Sequence, residues 1–504
     1  MELKEEKMKK LIKKEKIFNI FIFILMLLTC ISIILLKRLD DLDELWNYNF
    51  ARNISMGLVP YRDFSMIVTP LFSFLGGFIL KITTNQLLII WRICAAIFIT
   101  AILYVIYKIF NLLDIKKEVN IIYLAIIFLL FQNIISFDYN WASLFIVLTI
   151  LYNELKYYKK NNKIFEINIK KDMIIGILAG MAVMCKQTVG ILIAFTFLMN
   201  KIIFIRNKEE FKVFLKIFAH RLIGVLFPII LCFIYLVVNN ALYDFISYTI
   251  KGTREFSNFY SYINLIGFDA VGFFAVVLPV ILIVEIVLLI INKRDKANYY
   301  MLVYSISMLI VIFPISDAFH FVVGATLTII LFLYEIYNFL FDFFKENIKI
   351  IKAICIFIST TIILSCIFYS FDNFYKYTKS KNNFSNIKMY QNIIIDKQTE
   401  KMANQVSNYI LNSEKDVKVL EASAVLFMMP IGKYNKDYDM FNKGNFGENG
   451  ENRLIEDIKN SNNRQYLILK ENCTPNWQTP TKIIEYIKNN KKEKGEVSIY
   501  NIYE

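Results

Sequence analysis

The sequence predicts an α-helical polytopic membrane protein with a small α/β domain at its C-terminal end. The chain has 504 residues, of which 57% are hydrophobic and only 20% are charged. Its apolar residues form long runs, whereas a soluble core would show short periodic clusters. After residue 370 these runs stop, and short strand-like and helix-like segments alternate. The two halves therefore belong to different structural classes.

The first apolar run, NIFIFILMLLTCISIILL (residues 19–36), is long enough to cross a bilayer, which takes about 17 to 25 residues. No small-residue cleavage site follows it, so we interpret it as a retained signal anchor. Residues 1–16 contain seven lysines and four glutamates. Because lysine and arginine favour cytoplasmic loops, we expect a cytoplasmic N-terminus and an outer loop over residues 37–65.

The remaining basic clusters predict the rest of the topology, with about 11 to 13 crossings in all. The segments expected in the cytoplasm are 108–117, 156–163, 201–212, 292–296 and 344–352, and those expected outside are 136–140, 185–188, 239–260 and 314–320. We expect residues 66–82 to form a juxtamembrane or re-entrant piece. Residues 173–206 should divide at Lys186 into two short helices that line a cavity.

The net charge of +14 sits mostly in the short loops between apolar runs and in the C-terminal tail. We interpret it as topology and contact with anionic lipids of the bilayer, and expect no nucleic-acid partner. Six of the seven cysteines lie within apolar runs, and the chain has two histidines. This pattern indicates no disulfide framework. It predicts no metal site and no certain cofactor, although a divalent metal stays possible.

Residues 371–504 are expected to form an extracytoplasmic α/β domain of about 130 residues. The expected strands are 417–423, 464–470 and 496–503, and the expected helices are 397–411 and 479–490. The stretch GNFGENG (residues 444–450) is typical of a glycine-rich turn before a helix. We expect this domain to contact or guide an acceptor molecule.

Ionisable residues gather at the predicted outer ends of the apolar runs, where charge is costly and therefore suggests function. They are Asp40, Asp41, Asp43 and Glu44 after the first run, then Arg52, Arg62, Asp138, Lys186, Asp317 and His320. The acidic cluster is compatible with a solvated first helical turn or with a general base. Arg62 and Lys186 are candidates to bind a phosphate, although Lys186 is also compatible with a lysine that reaches the interface. His320 is equally compatible with a polar residue at a helix start.

The stretch DELWNYNFARNISMGLVPYRDFSMIVTPL (residues 43–71) resembles the first outer loop of the GT-C class of membrane glycosyltransferases. Three more segments, 137–148, 176–193 and 313–327, resemble that class in the same order. The class contains the aminoarabinose lipid A transferase and the protein O-mannosyltransferases, and the pattern is similar to its bacterial glycosyltransferase family 39 branch.

The resemblance implies a GT-C-like catalytic domain over residues 17–370 of a multi-pass cell-membrane protein. It implies an enzyme that transfers a sugar, with inversion, from a polyprenyl-phosphate-linked donor to an extracytoplasmic glycan, lipid or protein acceptor. Asp43 would be the base or would orient the acceptor, with Glu44 beside it and Asp138 as a second catalytic acid. Arg62 and Lys186 would bind the donor phosphate. The side chains expected to line the same cavity are Tyr61, Asp63, Gln187, Asp317 and His320.

Two departures from the family pattern leave the choice of base open. Many relatives have a tyrosine four residues after the first aspartate, where this chain has Asn47 followed by Tyr48. The additional Asp40 and Asp41 supply further carboxylates.

A polytopic transporter or a lipid-linked sugar flippase is the alternative. Such proteins carry charges through the bilayer or at both faces, often in repeated halves. A membrane receptor would explain the C-terminal domain but not the acids beside the first run. In this chain the ionisable residues at the ends of the apolar runs gather on the predicted outer face, which favours the enzyme. Glu285 lies in the middle of an apolar run, and we expect it to contact another helix.

Overall fold

The computed structural model describes the chain except for residues 1, 40–41, 84–85, 162–163, 256–260, 292–295, 314, 435 and 472–478. Asp40 and Asp41 therefore lie outside the described residues, as does most of the stretch 473–480. The described part of the first 379 residues is almost wholly helical. Its helices are α1 (Glu2–Leu36), α2 (Leu42–Ser55), α3 (Leu71–Ile82), α4 (Leu88–Leu112), α5 (Lys117–Phe131), α6 (Tyr139–Asn161), α7 (Ile169–Cys185), α8 (Gln187–Met199), α9 (Lys208–Val238), α10 (Leu242–Ile246), α11 (Ala270–Ile291), α12 (Lys296–Leu309), α13 (Ala318–Phe343) and α14 (Ile348–Lys379).

Eight spans in the described part of the chain are long and apolar enough to cross a membrane. They lie in α1, α4, α5, α8, α9, α11, α13 and α14. The shorter or more polar α3, α6, α7 and α12 pack among them. The prediction of a polytopic helical protein is confirmed. The 12 residues of α3 rise only about 18 Å, which explains why residues 66–82 do not form a full-length span.

The break predicted at Lys186 is confirmed. This residue has extended backbone angles of φ −150° and ψ 111° between α7 and α8. The chain then folds back so closely that a Cβ added to Gly190 would lie 2.2 Å from the Cα of Val183. On the other side of α7, a Cβ on Gly180 would lie 2.2 Å from the carbonyl oxygen of Val225 in α9. Small residues therefore allow the close helix packing that positions Lys186.

The C-terminal region forms the expected α/β domain. Its elements are α15 (Lys397–Asn412), β1 (Asp416–Val419), α16 (Val425–Met428), α17 (Gly450–Asn460), β2 (Arg464–Leu469), α18 (Thr481–Asn490), β3 (Glu493–Val497) and β4 (Tyr500–Tyr503). The sheet order is β1-β2-β4-β3, with β1 parallel to β2 and the other two pairs antiparallel. Because α14 continues to Lys379, the predicted domain boundary at residue 371 falls within a helix.

Two predicted strands are wrong in detail. The strand predicted over 417–423 ends at Val419, because the chain turns into a short 3-10 helix at Ala422–Ala424. Residues 496–503 form the turn and second strand of a hairpin, because the backbone reverses at Ser498 with φ 51°. A positive φ is uncommon for a serine, so the local sequence favoured a continuous strand. The helices predicted over 397–411 and 479–490 are confirmed within two residues at each end.

Candidate active site

Lys186 is buried at the break between α7 and α8. Its Nζ donates to Oδ1 of Asn140 at 2.5 Å and lies 3.1 Å from Nε2 of His320. The same ammonium lies 5.6 Å from the ring centroid of Tyr139. The lysine is thus held by side chains from the first turns of α6 and α13, which fixes its position without an ion pair at hydrogen-bonding distance.

His320 is oriented by the residue that caps its own helix. The Asp317 carboxylate accepts a hydrogen bond from the backbone N of His320 at 2.8 Å and lies 2.9 Å from Nδ1 of the ring. A carboxylate only accepts, so Nδ1 carries the proton and Nε2 presents its lone pair to the Lys186 ammonium. A continuous network of polar contacts therefore links four side chains, in the order Asp317, His320, Lys186 and Asn140.

Two further carboxylates lie in or beside the first turns of α6 and α2. Asp138 is buried and accepts from the backbone N of Asn140 at 2.7 Å and of Trp141 at 3.2 Å, which caps α6. Asp43 is exposed in the first turn of α2. Lys186 interacts electrostatically with Asp43, Asp138 and Asp317. Carboxylates from three distant parts of the sequence thus act electrostatically on one buried cation.

Glu44, the neighbour of Asp43, is bound in a different place. Its carboxylate forms a bidentate ion pair with Arg92 of α4, with Nε–Oε1 at 2.9 Å and Nη2–Oε2 at 2.8 Å. Both side chains are fully buried. Arg92 also donates to the carbonyl oxygens of Lys37 and Arg38. Glu44 therefore ties the start of α2 to α4 and to the end of α1.

Arg62 lies at the surface, bound to the adjacent Asp63. Its guanidinium forms a bidentate pair with that carboxylate at 2.8 and 2.9 Å and donates to the carbonyl oxygen of Asn239 at 3.3 Å. This hydrogen bond from Arg62 lowers the pKa of the Asp63 carboxyl. None of the contacts of Arg62 with described residues reaches Lys186, so the structure does not bring these two predicted phosphate ligands together.

Tyr61 and Gln187 support the loops around Lys186. Tyr61 is buried and donates through its hydroxyl to the carbonyl oxygen of Val68 at 2.6 Å. Gln187 donates to the carbonyl oxygens of Ile67 at 3.1 Å and Thr249 at 3.4 Å. The residue after the lysine thus joins two loops, residues 61–69 and the π-helical turn Ser247–Lys251.

Residues 436–448 of the C-terminal domain, here called the docking segment, cover both of these loops. The backbone N of Asp437 donates to Oγ of Ser65 at 2.7 Å, and the backbone N of Glu448 donates to Oγ of Ser247 at 2.9 Å. Lys251 forms an ion pair with Glu448 at 2.7 Å. From the sequence, GNFGENG (residues 444–450) is predicted only to form a turn. The structure adds that this turn joins the domain to the loops that flank Lys186.

The structure contains a second group of buried charged residues that the sequence did not predict. Arg221 of α9 binds Glu154 of α6 and also Asp172 of α7, at 3.2 Å. All three side chains are at most 3% exposed. Asp172 begins the helix that ends beside Lys186, so the two groups lie about 20 Å apart by the rise of an α-helix. Buried charges therefore lie at both ends of α7, and not only at the Lys186 end that the sequence pattern indicated. Long-range packing, which leaves no pattern in the sequence, pairs these residues.

Within the described part of the chain, no group of three or more His, Cys, Asp or Glu side chains is placed to hold a metal ion. Among the described residues of the site, the Lys186 ammonium carries positive charge.

Comparison with known proteins leaves the family of this chain open. No protein-family model matches it, and no curated protein matches it. Two crystal structures of the Archaeoglobus fulgidus oligosaccharyltransferase align with it at 13% sequence identity. In one of them, the enzyme is tethered through a disulfide to an acceptor peptide with the NVT sequon. The alignment covers 82% of the present chain and 63% of the oligosaccharyltransferase chain, with a TM-score of 0.49.

The second, in complex with Zn and sulfate, covers 81% of this chain and 61% of that chain with a TM-score of 0.44. The present chain thus spans less than two thirds of the length of either structure. At this identity and these scores, the likeness decides neither fold family nor function.

Proposed function

We propose that this protein is a GT-C-class glycosyltransferase that transfers a sugar, with inversion, from a polyprenyl-phosphate-linked donor to an extracytoplasmic acceptor. The observation that carries the proposal is the buried Lys186, whose ammonium contacts Asn140 and the His320–Asp317 pair and interacts electrostatically with Asp43 and Asp138. Each of these residues lies in, or directly beside, one of the four segments that resemble the class. A cation beside a carboxylate is the arrangement that transfer from a phosphate leaving group needs.

Asp43 is the proposed base. It is exposed in the first turn of α2, so an acceptor can reach it. Asp138 is buried, and Asp317 caps α13 and orients His320. An acceptor hydroxyl or amine attacks the anomeric carbon and loses its proton to the Asp43 carboxylate. The bond between the anomeric carbon and the phosphate oxygen breaks, which inverts the configuration in one displacement.

Lys186 is the proposed ligand of the departing phosphate. The lipid phosphate takes up the electron pair of the broken bond, and a preorganised ammonium stabilises that charge in a water-poor site. Asn140 and His320 hold the ammonium in place before the donor arrives. We propose Asp317 as the positioning residue that keeps His320 in the tautomer that accepts from Lys186.

The remaining predicted residues have supporting roles in this proposal. Arg62 is exposed and bound to Asp63, so it would meet the donor phosphate at the mouth of the site by exchanging that partner. Tyr61 and Gln187 position the surrounding loops. Glu44 is proposed as a positioning residue, because Arg92 engages both of its oxygens.

A transporter or flippase is the second candidate, favoured by the charges at both ends of α6 and α7. Those at the far end are bound to one another through Arg221. A translocated polar substrate would have to break that buried network at a large free-energy cost. The enzyme is therefore the better-supported function.

The proposal is tested by transfer from radiolabelled polyprenyl-phosphate sugars in membranes that contain the full chain. Loss of a general base costs about 100- to 10,000-fold in rate, so Asp43→Asn should reduce transfer by at least about 100-fold with unchanged expression. Asp372→Asn is the matched control, because Asp372 is an exposed carboxylate paired with Lys376. Full transfer by Asp43→Asn would refute the assignment. Movement of the donor across vesicles without any product would instead support the flippase.

A further inference from the structure

A pocket of about 310 Å³ opens beside the first turn of α7, at the end of the helix opposite Lys186. Its polar lining consists of Asn153, Asn168, Lys170 and Lys171. The proposed transfer reaction uses none of these residues. Basic segments on either side of it, residues 156–163 and 201–212, predict that this end of α7 faces the cytoplasm.

Among the described residues, no carboxylate forms an ion pair with either lysine. Nζ of Lys171 lies 3.1 Å from the ring centroid of Tyr157, a contact that orients the ammonium without neutralising it. In the part of the chain that the structure describes, the side chains of Lys170 and Lys171 form no ion pair and no hydrogen bond.

The nearby acids are already engaged. Arg221 binds the carboxylates of Glu154 and Asp172. These two groups therefore act on Lys171 through space only. Lys170 is exposed, and none of the described carboxylates pairs with its ammonium. An anion in the pocket is therefore the ligand that would pair with it.

The rest of the pocket is apolar. Ile174 and Leu178 form its wall along α7, and Ile174 is 51% exposed. On the adjacent α9, Ile223 and Phe227 are also exposed. In a membrane these side chains face lipid. An anion bound here thus meets lysines at one end and hydrocarbon at the other.

We propose that this pocket binds the headgroup of an anionic phospholipid. The phosphate would contact Lys170, Lys171 and the side-chain amide of Asn168, with an acyl chain along Ile174 and Leu178. The cytoplasmic leaflet is rich in anionic lipids, and basic residues near its surface attract them. The site is independent of the proposed glycosyl transfer.

The test is native mass spectrometry of the full chain, titrated with phosphatidylglycerol and with phosphatidylcholine. We expect the wild type to retain phosphatidylglycerol in preference. The double variant Lys170→Gln, Lys171→Gln should retain it at least tenfold less, since a tenfold change corresponds to about 1.4 kcal/mol. The charge-conserving variant Lys170→Arg, Lys171→Arg should retain most of the binding.

The matched control is Lys349→Gln, Lys352→Gln, which removes the same charge from an exposed turn of α14. Equal losses in this control and in the pocket variant would overturn the proposal in favour of general charge attraction. Displacement of the lipid by millimolar inorganic phosphate would also overturn it, because the site would then bind a free anion. Lys170→Gln alone changes an exposed side chain and gives the same test should the double variant fail to fold.

Discussion

Two adjacent acidic residues at the start of α2, Asp43 and Glu44, carry the same charge but differ in burial and therefore in role. Successive side chains on a helix point about 100° apart. Asp43 is exposed near Lys186, while Glu44 is buried against Arg92. The Glu44 side chain is fully buried against Arg92, so a substrate cannot reach its carboxylate. Its contribution is to hold α2 in place.

We predict that Glu44→Gln destabilises the protein by about 3 to 5 kcal/mol, because it leaves the Arg92 charge buried without a counter-ion. The measurement is the midpoint of thermal unfolding in detergent. The double variant Glu44→Gln, Arg92→Met should recover part of the loss, since it removes the unpaired charge. A midpoint unchanged by Glu44→Gln, together with a loss of transfer, would show that Glu44 acts in catalysis and not in stability.

The docking segment of the α/β domain packs against residues 61–69 and against the turn that contains Gly252, in part through direct backbone contact. A Cβ added to Gly252 would lie 2.7 Å from the Cα of Gly447. Contact this close requires glycine on the side of the membrane domain. The small domain is therefore fitted to the loops that carry Gln187, and its docking should affect the site.

We predict that Gly252→Ala weakens this docking, because overpacking costs about 1 to 3 kcal/mol. The docking segment should become more accessible to protease, and transfer should fall. Gly267→Ala is the matched control: its Cβ would have only one neighbour, Oδ1 of Asp269 at 3.9 Å. Equal protease sensitivity in the two variants would contradict the role of the glycine contact.

We predict that the stability of the docking segment depends on pH, because this segment contains the carboxyl group of Asp437. Burial raises the pKa of Asp437, but the hydrogen bond and charge of Arg453 lower it overall. A carboxyl whose pKa is depressed in the folded state stabilises that state above its unfolded pKa of about 4 and loses this effect at lower pH. Asp437→Asn should therefore lower the unfolding midpoint at pH 6, and the difference from wild type should shrink below about pH 4. A difference constant from pH 3 to pH 6 would contradict this role.

At the scale of the whole molecule, the basic residues predict an orientation with the N-terminus in the cytoplasm and the α/β domain outside. In a Cys473→Ser background, a membrane-impermeant maleimide should label Glu414→Cys in intact cells. Lys13→Cys should be labelled only after the membrane is permeabilised. Both positions are exposed, so accessibility of the side chain does not limit either reaction. The reverse labelling pattern would invert the topology and place Asp43 on the wrong face for the proposed acceptor.

The sequence by itself determined the helical membrane domain, the α/β domain and the interruption at Lys186. These features depend on the length of apolar runs and on local periodicity, which are properties of neighbouring residues. It also indicated most members of the candidate site, because charge beside an apolar run is visible without knowledge of the fold.

Only the tertiary structure decided which of these residues meet. It brought Lys186 into contact with Asn140 and with the His320–Asp317 pair. It also paired Glu44 with Arg92 and Arg62 with Asp63, and revealed the buried Arg221 group. It also divided the stretch 493–503 into a hairpin. Each of these outcomes depends on contacts between residues far apart in the chain or on one unusual backbone angle, and neither leaves a periodic pattern in the sequence.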